Sequence, residues 1–176
     1  MSTRRSRAGF TLIELVTAVL IGGLMIATAG SIWFYSNRSF AAQLNYVDMD
    51  QASQMALDTI SREIRETKAL VSESKRRLEF IDSDGDSLSY EYVKEDRILY
   101  RVKAGVTNVL LRNCKDLDFA IYQRNPVAGS YDQYPAADAS NCKLVQVSWV
   151  CSRPLYGTGQ ENTEAVSSAK IVIRNP

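Results

Sequence analysis

Histidine is absent from this sequence of 176 residues, and proline is scarce, with four residues and none before Pro126. The absence of histidine argues against the side chain that most often serves as a general base or as an imidazole metal ligand, although carboxylate chemistry remains open. Neither sign of charge is in excess over the whole chain, because 21 basic side chains stand against 20 acidic ones. No overall electrostatic field therefore favours nucleic acid or an acidic partner.

The basic residues at the N-terminus are followed by a long apolar segment. Three arginines among the first seven residues precede an uncharged run of 21 residues from Leu15 to Tyr35. As a helix, a run of this length spans roughly 30 Å of hydrocarbon. The last three residues of the run are aromatic, as at a membrane interface, and the arginines should remain cytoplasmic. We therefore predict one membrane crossing, with the rest of the chain exported.

An ordinary secretory signal peptide is the alternative interpretation of this segment. The small residues Ala27, Thr28 and Ala29 could form its cleavage site, and the soluble product would then begin at Gly30. Glu14 argues against this interpretation, because a carboxylate costs up to roughly 2.5 to 3.5 kcal/mol near the centre of a membrane helix and less near its end. A cleaved signal peptide has no use for such a charge.

Behind the basic leader, the residues from Gly9 to Glu14 form the stretch GFTLIE. This stretch resembles the class III signal of type IV prepilins, a family that includes type IV pilins, the pseudopilins of type II secretion and the pilins of DNA uptake. The resemblance implies that a membrane aspartyl peptidase cuts after Gly9 and then methylates the new N-terminus, Phe10. It also implies that Glu14 is the fifth residue of the trimmed chain. Many pilins have a proline in the middle of this helix, where Ser31 stands here.

Physical arguments support a role for each residue of this signal. A glycine before the cleaved bond lets the backbone lie extended in a protease cleft without a side-chain clash. Cleavage exposes an α-amino group near Glu14, either on the same chain or on a neighbouring subunit, and in hydrocarbon such a pair is favoured over two separate charges. Glu14 is therefore the candidate residue for assembly and register. A capping box between Thr11 and Glu14 is a second role, compatible with the first.

The helical pattern continues to about Thr67, and from Leu78 the apolar period changes to two. The charged residues near the end of the helix are predicted to lie on its outer face, by default as solvated surface: Asp58, Arg62, Glu63, Arg65 and Glu66. A long segment from Arg124 to Asn141 is predicted to be a surface loop. Short connections containing hairpin-turn residues indicate antiparallel pairing. Seven strands are predicted: Leu78–Ile81, Leu88–Val93, Ile98–Val102, Val109–Arg112, Leu117–Gln123, Leu144–Cys151 and Lys170–Ile173.

These patterns predict an α+β fold, in which a long N-terminal transmembrane helix precedes an antiparallel β-sheet domain of one or two sheets. The predicted segments are a basic leader (1–9), a transmembrane segment (10–35), the periplasmic half of the helix (36–67) and a β-rich domain (68–176). This order is similar to the pilin fold. Residues 50 to 125 more narrowly resemble minor pilins or pseudopilins of the W and J type.

Three aspartates, Asp82, Asp84 and Asp86, follow the first predicted strand with the spacing that opens many calcium loops. The rest of the EF-hand pattern is missing, because Ser87 replaces its glycine and Val93 replaces its bidentate glutamate. A hairpin turn explains the same residues. We therefore predict no metal site.

The three cysteines all lie in the predicted exported domain, where oxidation is permitted. The alternation along the strand that ends at Cys151 places this residue on an apolar face with Val147 and Trp149, as a small buried hydrophobe. Cys114 and Cys142 are then the predicted disulfide pair, and Cys151 is predicted to be a free thiol. No histidine is available to activate a cysteine as a nucleophile.

The resemblance implies a minor pilin or pseudopilin that initiates, caps or modifies a thin filament. Its partners would be a prepilin peptidase, other subunits through the N-terminal helix, an inner-membrane assembly platform and membrane lipid. The chain would cross the inner membrane once, with its C-terminal domain in the periplasm, before it enters a filament. The alternatives are a major filament subunit, or a tethered or secreted binding or enzymatic module that uses this export signal. We predict no cofactor and no enzymatic activity, because carboxylates such as Glu91, Glu95 and Asp96 have no visible catalytic partner.

Overall fold

The computed structural model describes residues 9–123, 129, 133–136, 138–154 and 161–174, without the side chains of residues 161–163. The chain divides into two compact units, Met1–Ala41 and Ala42–Pro176. One α-helix, α1, runs from Leu12 to Glu66 and contributes to both units. Most of the predicted leader, including Arg4, Arg5 and Arg7, lies outside the described residues.

In the first unit, the described residues form the apolar half of α1. An 18-residue window of this helix has a mean hydropathy of 2.2, and none of the window is buried. By length and composition the helix can cross a membrane, and a signal sequence near the N-terminus would meet the same criteria. The helix is uninterrupted from its first residue through its three glycines.

The two threonine hydroxyl groups in the apolar half of α1 are satisfied inside the helix. Thr17 donates from Oγ1 to the carbonyl of Ile13 at 2.9 Å, and Thr28 donates to the carbonyl of Leu24 at 3.0 Å. Hydrocarbon offers no water to replace these bonds, so intrahelical partners are what makes a hydroxyl tolerable there. These polar residues are therefore compatible with a membrane-spanning helix.

In the second unit, one face of α1 is buried along a stripe with the spacing of a surface helix. We call this set the helix stripe: Met49, Ser53, Ala56, Ile60 and Ile64. The helix ends at Glu66, one residue before the predicted end. Thr67 closes the last turn, because its backbone N–H and its hydroxyl donate to the carbonyl of Ile64 at 3.3 and 2.8 Å.

Within the described residues, nine strands form two antiparallel sheets. Sheet A has the order β1-β2-β3-β4-β5, and sheet B has the order β7-β6-β8-β9. The strands of sheet A are Ala69–Ser74 (β1), Arg77–Ile81 (β2), Ser87–Val93 (β3), Ile98–Lys103 (β4) and Val106–Arg112 (β5). The strands of sheet B are Cys114–Gln123 (β6), Tyr134–Pro135 (β7), Leu144–Pro154 (β8) and Glu161–Val172 (β9).

The α+β architecture predicted from the sequence is confirmed, and the number of sheets is two. Each of the seven predicted strands overlaps an observed one, whereas β1, β7 and the first part of β9 were not predicted. β1 is an edge strand with a single buried residue, Leu70, so it lacks the alternation that predicts a strand. The predicted loop from Arg124 to Asn141 contains β7 and a 3₁₀ helix, Ala139–Asn141, and residues 124–128, 130–132 and 137 of it lie outside the described residues.

Two of the short connections between strands have the backbone geometry that their turn residues favour. Ala104 and Gly105, between β4 and β5, have φ angles of 48° and 80°. Two consecutive positive φ angles are the mark of a type I′ hairpin turn. Gly85, between β2 and β3, has a φ of 90°, a conformation that glycine adopts without a Cβ clash.

The core of the second unit is formed by one face of each sheet and by the helix stripe. In sheet A, Phe80 and Tyr90 pack edge to face, with ring centroids 6.4 Å apart. In sheet B, the predicted inward face of β8 is confirmed, because Val147, Trp149 and Cys151 are all buried. Trp149 donates from Nε1 to Oγ of Ser53 at 3.2 Å, which joins β8 to the helix stripe.

Candidate functional site

The bond between Gly9 and Phe10 lies immediately before α1, in backbone without regular secondary structure. Both residues are exposed, and Phe10 has 88% of its surface accessible. A peptidase can take such a segment in extended form without unwinding a helix. The structure therefore leaves the predicted cleavage bond accessible.

Thr11 and Glu14 form the predicted capping box at the start of α1. The backbone N–H of Glu14 donates to Oγ1 of Thr11 at 3.3 Å, and the backbone N–H of Thr11 donates to Oε2 of Glu14 at 2.9 Å. The hydroxyl of Thr11 also donates to Oε2 at 2.9 Å. These bonds satisfy backbone groups that a helix terminus leaves without partners.

The second carboxylate oxygen of Glu14, Oε1, has no hydrogen-bond partner among the described residues. An ionised carboxylate has about four lone-pair sites, so the capping box uses only part of its acceptor capacity. The structure thus confirms the capping role of Glu14 and leaves one oxygen for a second role. The pairing with an amino group of another subunit stays a prediction.

A second set of polar residues joins α1 to sheet A, and the sequence did not predict it. Arg101 donates from Nε to Oε2 of Glu63 at 2.8 Å and also binds Oε1 through its NH2 group. The hydroxyl of Tyr90 donates to Oε2 of Glu63 at 2.6 Å. Tyr90 and Arg101 stand directly opposite each other on β3 and β4, so their side chains lie on the same face of sheet A. The prediction that Glu63 lies on the outer face of the helix is therefore wrong.

The electrostatics of this set favour the charged form of Glu63. Burial opposes ionisation, but the hydrogen bonds from Arg101 and Tyr90 outweigh it and lower the pKa of Glu63. Burial, with the hydrogen bond to Glu63, raises the pKa of Tyr90 well above its ordinary value. The tyrosine therefore remains a neutral donor to an ionised carboxylate at any ordinary pH.

Asp82, the first of the three aspartates between β2 and β3, has its carboxylate bound by other groups of the chain. It is buried and forms an ion pair with Lys103, while the backbone N–H of Ser83 donates to its Oδ1 at 2.7 Å. The hydrogen bond from Lys103 is the main cause that lowers the pKa of Asp82. Within the described residues, no group of three acidic, cysteine or histidine side chains is arranged to hold a metal ion.

The cysteines show a different arrangement from the predicted one. All three are free and buried, and Sγ of Cys114 lies 3.7 Å from Sγ of Cys151. Cys142 precedes β8, and its sulfur donates to the carbonyl of Leu144 at 3.4 Å. Leu144 and Cys151 are seven residues apart on β8, which corresponds to about 23 Å.

The predicted bridge between Cys114 and Cys142 is therefore corrected. Cys114 pairs in register with Cys151 near the last residues of β8, whereas Cys142 lies just before the first residue of that strand. A disulfide requires Cα atoms within about 7 Å, so Cys114 and Cys142 are too far apart to form one. The predicted inward orientation of Cys151 is confirmed, and its thiol is free in the structure, but its sulfur lies beside that of Cys114. Strand register, which decides the pairing, is a long-range property that the local pattern did not contain.

Comparison with known families identifies the N-terminal segment. Residues 4–30 match a family model described as the prokaryotic N-terminal methylation motif. The chain carries a prepilin-type signal. This signal is the one that type IV pilins and pseudopilins share, and it includes Gly9, Phe10 and Glu14. No curated protein matches the chain.

Replacing Glu63 with glutamine should destabilise the second unit. The amide keeps the shape but leaves the partly buried Arg101 without its counter-charge, and we expect a loss of about 2 to 3 kcal/mol in the free energy of unfolding. Glu66→Gln is the matched control on the same helix, because Glu66 is exposed, and it should change stability by less than about 0.5 kcal/mol. Urea unfolding of the full-length protein in detergent measures both, and equal stabilities of the two variants would contradict the role of Glu63.

The stability of the protein should also fall in acid, and Glu63 should account for part of that fall. Folding lowers the pKa of Glu63 and Asp82 from ordinary values of 4.5 and 3.8. Their contribution is therefore fully present above those values and is lost as the pH falls through the lower folded values. Unfolding measured between pH 7 and pH 2 should show a shallower acid dependence for Glu63→Gln than for the wild type. Parallel profiles would show that Glu63 does not titrate with folding.

Proposed function

We propose that this chain is a minor pilin or pseudopilin, a structural subunit without enzymatic activity. In this proposal it initiates, caps or modifies a pilus-like filament, after removal of residues 1–9 and N-methylation of Phe10. The observation that carries the proposal is the prepilin-type signal at residues 4–30, set directly on an unburied apolar helix.

The position of the signal relative to the helix supports this proposal. Two residues, Phe10 and Thr11, separate the cleavage bond from the first residue of α1, so trimming would remove the charged leader and leave an intact helix with Phe10 at the new N-terminus. The trimmed helix would begin with apolar residues and one carboxylate. Such an end can remain in lipid or pack among the equivalent helices of other subunits.

The remaining partners follow from the same proposal. A prepilin peptidase would cut the chain, an inner-membrane assembly platform would receive it, and other subunits would contact its N-terminal helix. The β-rich unit would stand in the periplasm before the subunit enters the filament. The W- and J-type resemblance supports a minor role, because the proteins it points to are minor pilins and pseudopilins. Much of this resemblance lies in residues 78–102, which fall in β2, β3 and β4 of sheet A.

Glu14 has a specific place in this mechanism. Its Oε2 is held by Thr11 of the same chain, while Oε1 has no partner among the described residues. We propose that Oε1 accepts a hydrogen bond from the methylated amino group of Phe10 on a neighbouring subunit. In lipid this ion pair would offset two charges that are each costly alone, and it would fix the axial register of the incoming subunit.

The first test of the proposed function is the identity of the mature N-terminus. We expect the protein from its native host to begin at Phe10 and to carry one methyl group on the α-nitrogen, detected by mass spectrometry of the N-terminal peptide. The same chain expressed without a prepilin peptidase should keep residues 1–9. A mature chain that begins at Gly30 would instead show an ordinary secreted protein.

The second test separates the charge of Glu14 from its role as a cap. Glu14→Gln keeps an oxygen that can accept from the backbone of Thr11 but removes the charge, whereas Thr11→Val keeps the charge but removes the hydroxyl of the capping box. We expect both variants to be trimmed and to fold. Glu14→Gln should lower co-purification with the other filament subunits at least about tenfold, because one ammonium would be left uncompensated in a medium of low dielectric constant.

The Thr11→Val variant is the control for helix initiation. It should cost about 1 kcal/mol of cap energy and should enter filaments nearly as well as the wild type. Equal losses of assembly in both variants would show that the cap, and not the ion pair, is what assembly requires. Full assembly of trimmed Glu14→Gln would rule out the register role.

A further inference from the structure

Cys114 and Cys151 stand opposite each other on two neighbouring strands of sheet B. They are paired residues in the register of β6 and β8, and their sulfur atoms are 3.7 Å apart. Directly opposite residues in an antiparallel pair have Cα atoms about 4.5 to 5.5 Å apart, and disulfides span about 4.4 to 6.8 Å. The backbone is therefore already placed for a bond, and a small rotation of the side chains can bring the sulfurs to about 2 Å.

The surroundings of the pair give the two thiols different chemistry. Cys151 lines a cavity of about 220 Å³ between α1, β5 and β8, together with Met49 and Arg153. The pKa of Cys151 is lowered by hydrogen bonds to its sulfur, first from Cys114 and then from the hydroxyl of Ser53, although burial opposes this. The bond to Cys151, together with burial, raises the pKa of Cys114. Cys151 is buried but lines this cavity, so it is the sulfur of the pair that an oxidant in the cavity can approach.

We propose that Cys114 and Cys151 form a disulfide bond across β6 and β8, with Cys142 remaining a free thiol. This inference rests on the proposed function for one point, that the β-rich unit is exported to a compartment that holds a disulfide-bearing oxidant. The bond would close a loop that contains β7, the 3₁₀ helix and most of β8. It would covalently fix the strand pair that carries Trp149 against the helix stripe.

The oxidant is a thiol–disulfide exchange protein or a small disulfide such as oxidised glutathione. The thiolate of Cys151 attacks one sulfur of that disulfide, which forms a mixed disulfide and releases the other sulfur as a thiolate. Cys114 loses its proton and attacks Sγ of Cys151, which expels the second thiolate of the oxidant. Two electrons pass to the oxidant, whose two thiolates take up the two protons released by the cysteines.

The test begins with full-length protein in detergent, equilibrated in a glutathione buffer poised as oxidising as an exported compartment. After acid quenching, unfolding and alkylation, we expect one alkylated cysteine in the oxidised protein and three in the reduced protein. Tryptic cleavage separates the three cysteines, because Lys115 and Lys143 lie between them. The linked peptides should contain Cys114 and Cys151, and a linked peptide that contains Cys142, or three free thiols, would overturn the proposal.

Two alanine variants provide matched controls. Cys142→Ala should keep the bond, and Cys114→Ala should lose it, while both retain a small apolar side chain in the core. Reduction should lower the melting temperature of wild type and Cys142→Ala by about 10 °C, and it should leave that of Cys114→Ala unchanged. An equal effect of reduction on all three proteins would contradict a bond at this position.

Acid trapping of cells of the native host distinguishes this inference from the proposed export. A bond in the trapped cells supports both proposals. A bond that forms in the glutathione buffer but not in the cells would contradict export of the unit. Absence of the bond in the buffer overturns the pairing itself, whichever compartment contains the protein.

Discussion

Burial of the helix stripe is the contact on which the second unit depends. Each sheet has one apolar face, and both faces meet the same few turns of α1: Ser53 contacts Trp149 of sheet B, and Glu63 contacts Tyr90 and Arg101 of sheet A. A sheet with one apolar face must cover it with another element. The helix therefore belongs to the core of the β-rich unit, and a boundary drawn at the end of the helix would divide that core.

The polar contacts of α1 determine how it packs as much as its apolar ones do. Apolar side chains such as Ile60 and Ile64 could slide along a sheet face with little loss, because the hydrophobic effect is not directional. Glu63 cannot slide, since one carboxylate accepts from a guanidinium and a phenol whose positions are set by strand register. Arg101 and Lys103 are balanced by Glu63 and Asp82, so the set carries no net charge and each member has a partner. The cost of desolvating the charges is thereby offset in one orientation of the helix.

The sequence predicted the elements well and their contacts less well. Periodicity predicted α1, seven of the nine described strands and the inward face of β8, because these features depend on neighbours two to four residues away. It predicted β4 but not its inward face, because alternation of the apolar residues would place Ile98, Tyr100 and Val102 inward. The structure instead turns Leu99 and Arg101 toward the helix, because Arg101 has a carboxylate to meet there. The predicted cysteine pair was wrong for a related reason. The register of β6 against β8 depends on contacts between strands that a long loop separates, and local residue spacing does not predict it.

The two glutamates of α1, Glu14 and Glu63, show how a charge without a nearby partner in sequence can be interpreted. Glu14 stands in an apolar segment, whereas Glu63 stands among charged residues that were predicted to face solvent. Glu63 is saturated within its own chain, because both of its oxygens accept hydrogen bonds from Tyr90 or Arg101. Glu14 is not, since Thr11 engages one oxygen and the described residues leave the other without a partner. A carboxylate whose partners are complete stabilises a fold, whereas one that keeps a vacant acceptor in an apolar segment can still bind another chain. The difference in acceptor use, more than the presence of a charge, therefore separates the structural glutamate from the one proposed to act in assembly.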